Sequence, residues 1–375
     1  MRSPCDTLAE RSGVYRWFEM NRSVFIVAAR AGLVLISSLV MFGVVELGLQ
    51  IARHLEAEQR LQNDPDWKGA QALHRRSADP VLVYELIPNA TGTRHGVEVT
   101  INSSGFRDHE FPGPDRTRSP RILVLGDSVT WGWGVAMDDG FPQRLERALS
   151  RDAGAGAAPP VVYNLGVEGY STKQELRLLE QLGPQLEPDA VLLVYVLNDP
   201  DERVGVLRFP ADGGLGTYFS QVPRSEVLAA LARAWTRGTE WFHAGGNTPG
   251  PPEEYHHRIH EQGKARTSAY FRRLAKWSQA ERVPVRIAIV PVFDFSARGP
   301  YPWASIHRDV AHRAAEHGLE SIDLYDAFRG VSSKPFALNP WHPNARGHAV
   351  IADALRPEVR ELLRRGPGEN SPVTP

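Results

Sequence analysis

The chain has 375 residues, which is more than a minimal domain needs and suits one large domain with insertions or a domain with appendages. Hydrophobic residues make up 42% and charged residues 23%, which excludes disorder throughout the chain. The 43 basic and 44 acidic residues give a formal charge of -1, without the basic excess that is typical of nucleic-acid-binding proteins. The single cysteine, Cys5, excludes an internal disulfide and a cysteine-based zinc site.

One strongly apolar segment lies near the N-terminus, at residues 24–49. Residues 31–45 carry no charge, and the flanks bring the segment to the roughly 20 residues that cross a bilayer. We predict an uncleaved, single-pass transmembrane signal anchor; a buried amphipathic helix and a cleaved signal peptide are the alternatives. More arginines precede than follow the apolar centre, which places residues 1–23 in the cytoplasm. The rest of the chain is then periplasmic or extracellular, tethered to the inner (cytoplasmic) membrane.

Beyond the anchor, the chain changes from short strands to a regular alternation of strands and helices. Apolar strands are predicted at residues 121–125, 161–164, 190–196, 285–292 and 321–324. In the segments between these strands, apolar residues recur at helical spacing, and a last helix is predicted at residues 345–363. This order predicts an α/β fold with a doubly wound, mostly parallel five-stranded sheet and helices on both faces.

The predicted organisation is a cytoplasmic segment (1–23), the anchor (24–49), a stalk (50–80), a β-rich extension (81–118), the main domain (119–365) and a disordered tail (366–375). An insertion at residues 200–262 contains an amphipathic helix at 225–242. It is either a lid over the site or a packed surface element.

Polar residues follow the predicted strands where a parallel sheet binds its ligands, at the carboxyl ends. Ser128 follows the first strand, Gly169 the second and Asn198 the third, while His342 precedes the last helix. A hydroxyl, a glycine backbone, an amide and an imidazole at one edge are the groups that acyl transfer needs. Each has a simpler reading: Ser128 and His342 as helix caps, Gly169 and Asn198 as turn residues.

Four short motifs carry a resemblance to the SGNH (GDSL) hydrolase superfamily over residues 119–364. The first block, GDS, ends at Ser128, and the second-block glycine matches Gly169 in VEGYS. The third block has valine in place of its glycine before Asn198, and the fifth block has Asn339 in place of its aspartate before His342. The segments GVEVTINSSGFRD and WGWGV resemble the membrane-anchored bacterial branch that is linked with cell-surface polysaccharides.

The resemblance implies an SGNH/flavodoxin-like sheet and a serine esterase that needs neither a metal nor a cofactor. It implies that Ser128 attacks an ester, that His342 is the general base and that Asn339 orients it. The backbone N–H groups of Ser128 and Gly169 and the side chain of Asn198 would hold the oxyanion. The implied substrate is an O-acyl group, with acetyl as the expected acyl group, on an envelope or exported polysaccharide. An acyltransferase is the first alternative, and the sequence gives no oligomeric state.

Asn339 leaves three outcomes open, because an amide supplies no negative charge to the histidine. The site can work as a Ser-His dyad, another carboxylate such as Asp323 or Asp326 can substitute, or the protein can be a catalytically silent carbohydrate-binding or assembly protein. Two further groups have weaker readings. His256, His257 and His260 have a spacing that can bind zinc. Arg107 is expected in a structural salt bridge rather than on an anionic sugar.

Overall fold

A computed structural model describes residues 30–48, 65–112, 119–154, 158–200 and 252–365, without the side chains of 65–67 and 252–253. Contacts divide the chain into two units, Met1–Leu61 with Ala211–Gly246, and Gln62–Pro210 with Asn247–Pro375. Predictions for residues 1–29, the helix at 225–242 and the tail at 366–375 lie outside the described residues.

The first unit contributes one described element, helix α1 at Arg30–Gly48. The helix has 19 residues, and the mean hydropathy of its most apolar 18-residue window is 2.0, so length and composition suffice for crossing a membrane. Its apolar side chains are exposed, as illustrated by Leu33 at 69%. The described part of the predicted anchor is therefore a continuous apolar helix.

The second unit begins with a helix and two hairpins. They are α2 (Pro65–Leu73), the antiparallel pair β1 (His74–Arg76) and β2 (Tyr84–Leu86), and the antiparallel pair β3 (Thr91–Arg94) and β4 (Val97–Thr100). Helix α2 packs on β3, and its Ala70 and Leu73 are fully buried. Residues 65–80, predicted as the end of the stalk, therefore belong to the folded domain, because the apolar face of α2 covers the β3–β4 hairpin.

The central sheet has five parallel strands in the order β6-β5-β7-β8-β9. They are β5 (Arg121–Leu125), β6 (Val161–Asn164), β7 (Ala190–Tyr195), β8 (Val285–Ile289) and β9 (Glu320–Asp323). Every residue of β7 is buried, as expected for an apolar strand covered on both faces. The predicted doubly wound sheet is confirmed, and strand order reverses at β5.

Helices cover both faces of this sheet. They are α3 (Ser128–Trp131), α4 (Phe141–Asp152), α5 (Thr172–Leu186), α6 (Pro252–Glu281), α7 (Ala304–Glu316) and α8 (Ala345–Arg365). Helix α4 packs against α8, whereas α6 packs against both α5 and α7. Residues 252–262, predicted as part of the insertion, belong to the first turns of α6.

Substitution of Gly69 by alanine tests whether α2 is packed or is a free stalk helix. A Cβ at Gly69 would lie 2.0 Å from the backbone oxygen of Thr93 in β3. We therefore expect Gly69→Ala to lower the free energy of unfolding by about 1–3 kcal/mol in a urea titration. In an unpacked helix the same change would raise it by up to about 1 kcal/mol. Gln71→Ala, at an exposed position of α2, is the matched control.

Candidate active site

Ser128 starts α3 immediately after β5, at the point where strand order reverses. Asp127 caps this helix, since its carboxylate accepts a hydrogen bond from the Val129 N–H at 2.9 Å. Gly132 ends the helix after one turn. The turn therefore presents the Ser128 hydroxyl at the carboxyl edge of the sheet, where open α/β folds bind ligands.

His342 reaches the same edge from the other end of the chain. It lies in β11 (His342–Pro343), which pairs with β10 (Ala337–Asn339). Its Nε2 is 3.0 Å from the Ser128 Oγ, and its Nδ1 is 3.0 Å from the Asn339 Oδ1. The fold thus brings the three predicted catalytic residues into one hydrogen-bonded chain, although 214 positions separate serine from histidine.

The orientation of the Asn339 amide is fixed by its neighbours. Its Oδ1 accepts hydrogen bonds from the backbone N–H of Trp341 at 2.9 Å and of His342 at 3.0 Å. Backbone N–H groups can only donate, so the atom beside His342 Nδ1 is the oxygen. Nδ1 therefore carries the hydrogen, and the Nε2 lone pair faces the Ser128 hydroxyl. The wrong tautomer that cripples asparagine variants of serine proteases is avoided here.

The two carboxylates considered as substitutes for the missing aspartate have other partners. Asp323 accepts a hydrogen bond from His307 Nδ1 at 2.7 Å, and Asp326 pairs with Arg329. Within the described ranges, neither carboxylate contacts His342. The prediction that Asp323 or Asp326 replaces the aspartate is therefore not supported by the geometry.

The predicted oxyanion donors line the cavity beside Ser128. Gly169 has φ of +77°, a left-handed conformation that favours glycine. In the free protein, the Asp127 carboxylate receives hydrogen bonds from the Ser128 N–H and the Asn198 side chain, and burial raises its pKa to about 6. Catalytic hydrogen bonds are often long or poorly aligned in a free enzyme and tighten only with substrate.

A cavity of about 450 Å³ opens at the Ser128 hydroxyl. Its other walls are mainly apolar and aromatic, and include Trp133, Val196, Leu197, Tyr255, Val290, Pro291, Val292 and Trp341. Trp341 is 39% exposed and packs against His256. An apolar cavity with a few convergent polar groups is the usual form of a small-ligand site.

An aromatic stack holds the His342 ring, and sequence reasoning missed it. Trp133 lies flat against His342, with ring centroids 4.2 Å apart and planes 8° apart. The His95 ring also packs on Trp133, at 4.3 Å. His95 in turn hydrogen-bonds Glu168 at 2.5 Å. Trp133 lies in the WGWGV segment, which was used only for the family resemblance, and His95 lies in a hairpin turn that carries no catalytic signal.

Arg107 and the histidine cluster have structural contacts. Arg107 is 1% exposed and donates to backbone oxygens of the loop after α3, including Gly132 and Val135. It forms no salt bridge with another described residue. His256 faces the Leu197 oxygen, and His260 bonds Asp309. The described residues contain no group of three or more side chains suited to a metal ion.

Comparison with known proteins decides the family. The model of the GDSL-like lipase/acylhydrolase family matches residues 124–350, which is more than half of the chain. The chain belongs to this family. It is therefore a carboxylic ester hydrolase of the SGNH superfamily, as the four motifs predicted. A search of curated proteins finds no match.

Solved structures with a similar fold include several esterases. The esterase EstA from Pseudoalteromonas sp. is 17% identical, with a TM-score of 0.39 over 66% of this chain and 100% of that one. The lipase/acylhydrolase from Enterococcus faecalis is 18% identical, with 0.38 over 67% and 100%. A two-domain esterase active on acetylated mannans is 13% identical, with 0.40 over 68% and 52%. These values are too low to carry any inference about substrate.

The pH dependence of this GDSL-like hydrolase follows from the burial of His342. Burial lowers the pKa of His342 to about 4, and only the unprotonated ring can accept the serine proton. We expect kcat/KM for p-nitrophenyl acetate to rise through about pH 4 and to be level by about pH 5 to 6. An acid limb near pH 6.5, the ordinary value for histidine, would contradict this. Samples returned to pH 7 control for acid unfolding.

Proposed function

We propose that this GDSL-like hydrolase is a membrane-tethered serine esterase that removes O-acyl groups, chiefly acetyl groups, from a cell-envelope or exported polysaccharide. The observation that carries the proposal is the hydrogen-bonded chain from Ser128 through His342 to Asn339, with the serine hydroxyl at an open cavity. A catalytically silent protein has no need for this alignment, so the geometry favours an active enzyme over the silent alternative.

The mechanism that fits this geometry is acyl transfer to serine and then to water. Ser128 Oγ attacks the ester carbonyl while His342 Nε2 takes its proton. The N–H groups of Ser128 and Gly169 and the Asn198 amide stabilise the oxyanion, each by roughly 3 kcal/mol in the transition state. His342 then gives the proton to the leaving alcohol. Water, activated by His342, hydrolyses the acyl-enzyme and regenerates the serine.

The cavity supports a small acyl group attached to a larger alcohol. Its volume of about 450 Å³ exceeds what an acetyl group fills, so part of the leaving alcohol can also enter. The partly exposed Trp341 ring offers a flat apolar surface for the face of a sugar. These features support an acylated glycan, and the apolar helix α1 supports an enzyme held at the membrane where exported polysaccharides pass.

Substitutions at the site test the proposed chemistry. We expect Ser128→Ala to lower kcat/KM for p-nitrophenyl acetate at least about a thousandfold, because the nucleophile is lost. We expect Asn198→Ala to lower kcat about 100- to 1,000-fold, because one oxyanion donor is lost. Ser104→Ala, at an exposed serine, is the matched control.

Two results would contradict the proposal. Activity retained in Ser128→Ala would exclude this serine as nucleophile. Turnover of the acetyl ester that rises when a sugar acceptor is added, with the acyl groups moved onto that acceptor instead of released as acetate, would identify an acyltransferase.

The single cysteine provides a test of the tether and its orientation. If residues 1–23 are cytoplasmic, a membrane-impermeant maleimide applied outside the inner membrane labels Cys5 only after detergent is added. In a Cys5→Ser background, Ser371→Cys should be labelled without detergent, because the C-terminus lies on the other side. Labelling of Cys5 in intact spheroplasts, or a wild-type protein that remains soluble on fractionation, would contradict the proposed anchor.

A further inference from the structure

Asn339 fixes the tautomer of His342 but supplies no charge to the imidazolium that forms when Ser128 is deprotonated. In most enzymes of this mechanism, a carboxylate supplies that charge. In the described part of the chain, two carboxylates line the same cavity as His342, Asp127 and Glu168, and each precedes a predicted oxyanion residue. Burial raises the pKa of Asp127 to about 6, whereas the pKa of Glu168 lies below its ordinary value, so Glu168 is the better candidate for a fixed negative charge.

Glu168 is held in place mainly by the β3–β4 hairpin. Its side chain is 4% exposed and accepts hydrogen bonds from Arg94 Nε at 3.1 Å, from Arg94 Nη2 at 3.2 Å and from His95 at 2.5 Å. Tyr84 donates to the Glu168 backbone oxygen at 2.7 Å. Burial alone would raise the pKa of Glu168, but the contacts with His95 and Arg94 lower it below the ordinary value. The carboxylate is therefore ionised at neutral pH.

The same hairpin sets the position of the His342 ring. His95 packs on one side of Trp133 and His342 on the other, so three rings form a stack that ends at the catalytic base. Glu168 binds the outer ring of this stack and also precedes Gly169. Glu168 therefore contacts the ring stack that ends at the general base, and it is the sequence neighbour of the predicted oxyanion residue.

Several other titratable or charged groups face His342 or its neighbours. They are Asp127 beneath Ser128, His256 across the cavity, His348 in α8, and Arg94 and His95 around Glu168. Burial is the main cause that lowers the pKa of His342; the charge of Glu168 opposes this effect, whereas that of His95 adds to it.

We propose that Glu168 is a positioning residue for the reaction: its carboxylate, held by Arg94 and His95, provides the negative charge that favours the protonated His342 ring in a site where Asn339 is neutral. This inference rests on the proposed function, since it assigns a charge to the histidine that activates Ser128. A carboxylate near an imidazole favours the charged ring by an amount that depends on distance and burial.

The test is the acid limb of kcat/KM for p-nitrophenyl acetate in charge variants of the full-length protein. Glu168→Gln removes the negative charge, so the limb moves to lower pH by about half a unit or more and the plateau falls roughly tenfold. Arg94→Gln removes the positive charge, so the limb moves to higher pH. Both changes disturb the same buried pair, so a purely structural role predicts no shift in opposite directions.

The measurement is repeated in an Asn339→Asp background, where the added carboxylate moves the limb to a higher pH that is easier to measure. Glu320→Gln is the matched control, because Glu320 also pairs with a buried arginine, Arg286, but lies at the start of β9, at the opposite edge of the sheet. We expect Glu320→Gln to leave the limb where it is.

The outcomes separate this inference from the proposed function. If Ser128→Ala abolishes activity but the two charge variants leave the limb unmoved or shift it in one direction, the role of Glu168 is wrong and the esterase stands. If Ser128→Ala retains activity, the proposed function itself fails. If Glu168→Gln does not fold, Arg94→Gln carries the test alone, and a limb that does not rise overturns the inference.

Discussion

The arrangement of the site depends on one atom, the Oδ1 of Asn339. Two backbone N–H groups of the following turn and the Nδ1–H of His342 converge on it, so the amide cannot rotate. This fixed acceptor determines which nitrogen of His342 carries the hydrogen and leaves the other free for Ser128. An aspartate would make the same three contacts and add a charge, which means that the asparagine separates two tasks that one carboxylate usually performs.

The N-terminal extension takes part in the second task, which is to supply negative charge to His342. Its β3–β4 hairpin places Arg94 and His95 on Glu168, and Tyr84 holds the backbone of the same residue. Because Glu168 directly precedes Gly169, the hairpin also supports the predicted oxyanion site. Helix α2 packs against β3 of this hairpin. The end of the predicted stalk is therefore part of the structure that supports the active site.

The sequence was sufficient for the sheet and for the residues at strand ends. Strand β7 is apolar throughout, and the alternation around it has few alternatives, so the parallel sheet could be predicted. Ser128 could be placed at the carboxyl edge of the sheet because it follows a parallel strand, whereas its meeting with His342, which lies in the separate β10–β11 pair, was implied by the resemblance of the four motifs. The Trp133 stack with His95 could not, since neither spacing nor periodicity relates a hairpin turn to a ring 38 positions later. The packing of α2 was not predicted, because a polar, partly helical segment is compatible with a stalk as well as with a packed helix.

Burial of the site has two opposing effects on the same ring. Desolvation weakens His342 as a base, since it lowers the pKa to about 4 and makes the imidazolium costly. The same loss of water strengthens every interaction with a fixed charge or dipole, because the local dielectric constant is low. A carboxylate placed beside the cavity, rather than in direct contact with the ring, can therefore act over a longer distance than it could in water. The neutral Asn339 is tolerable in such a site, whereas at an exposed histidine the loss of a contact carboxylate would have no distant substitute.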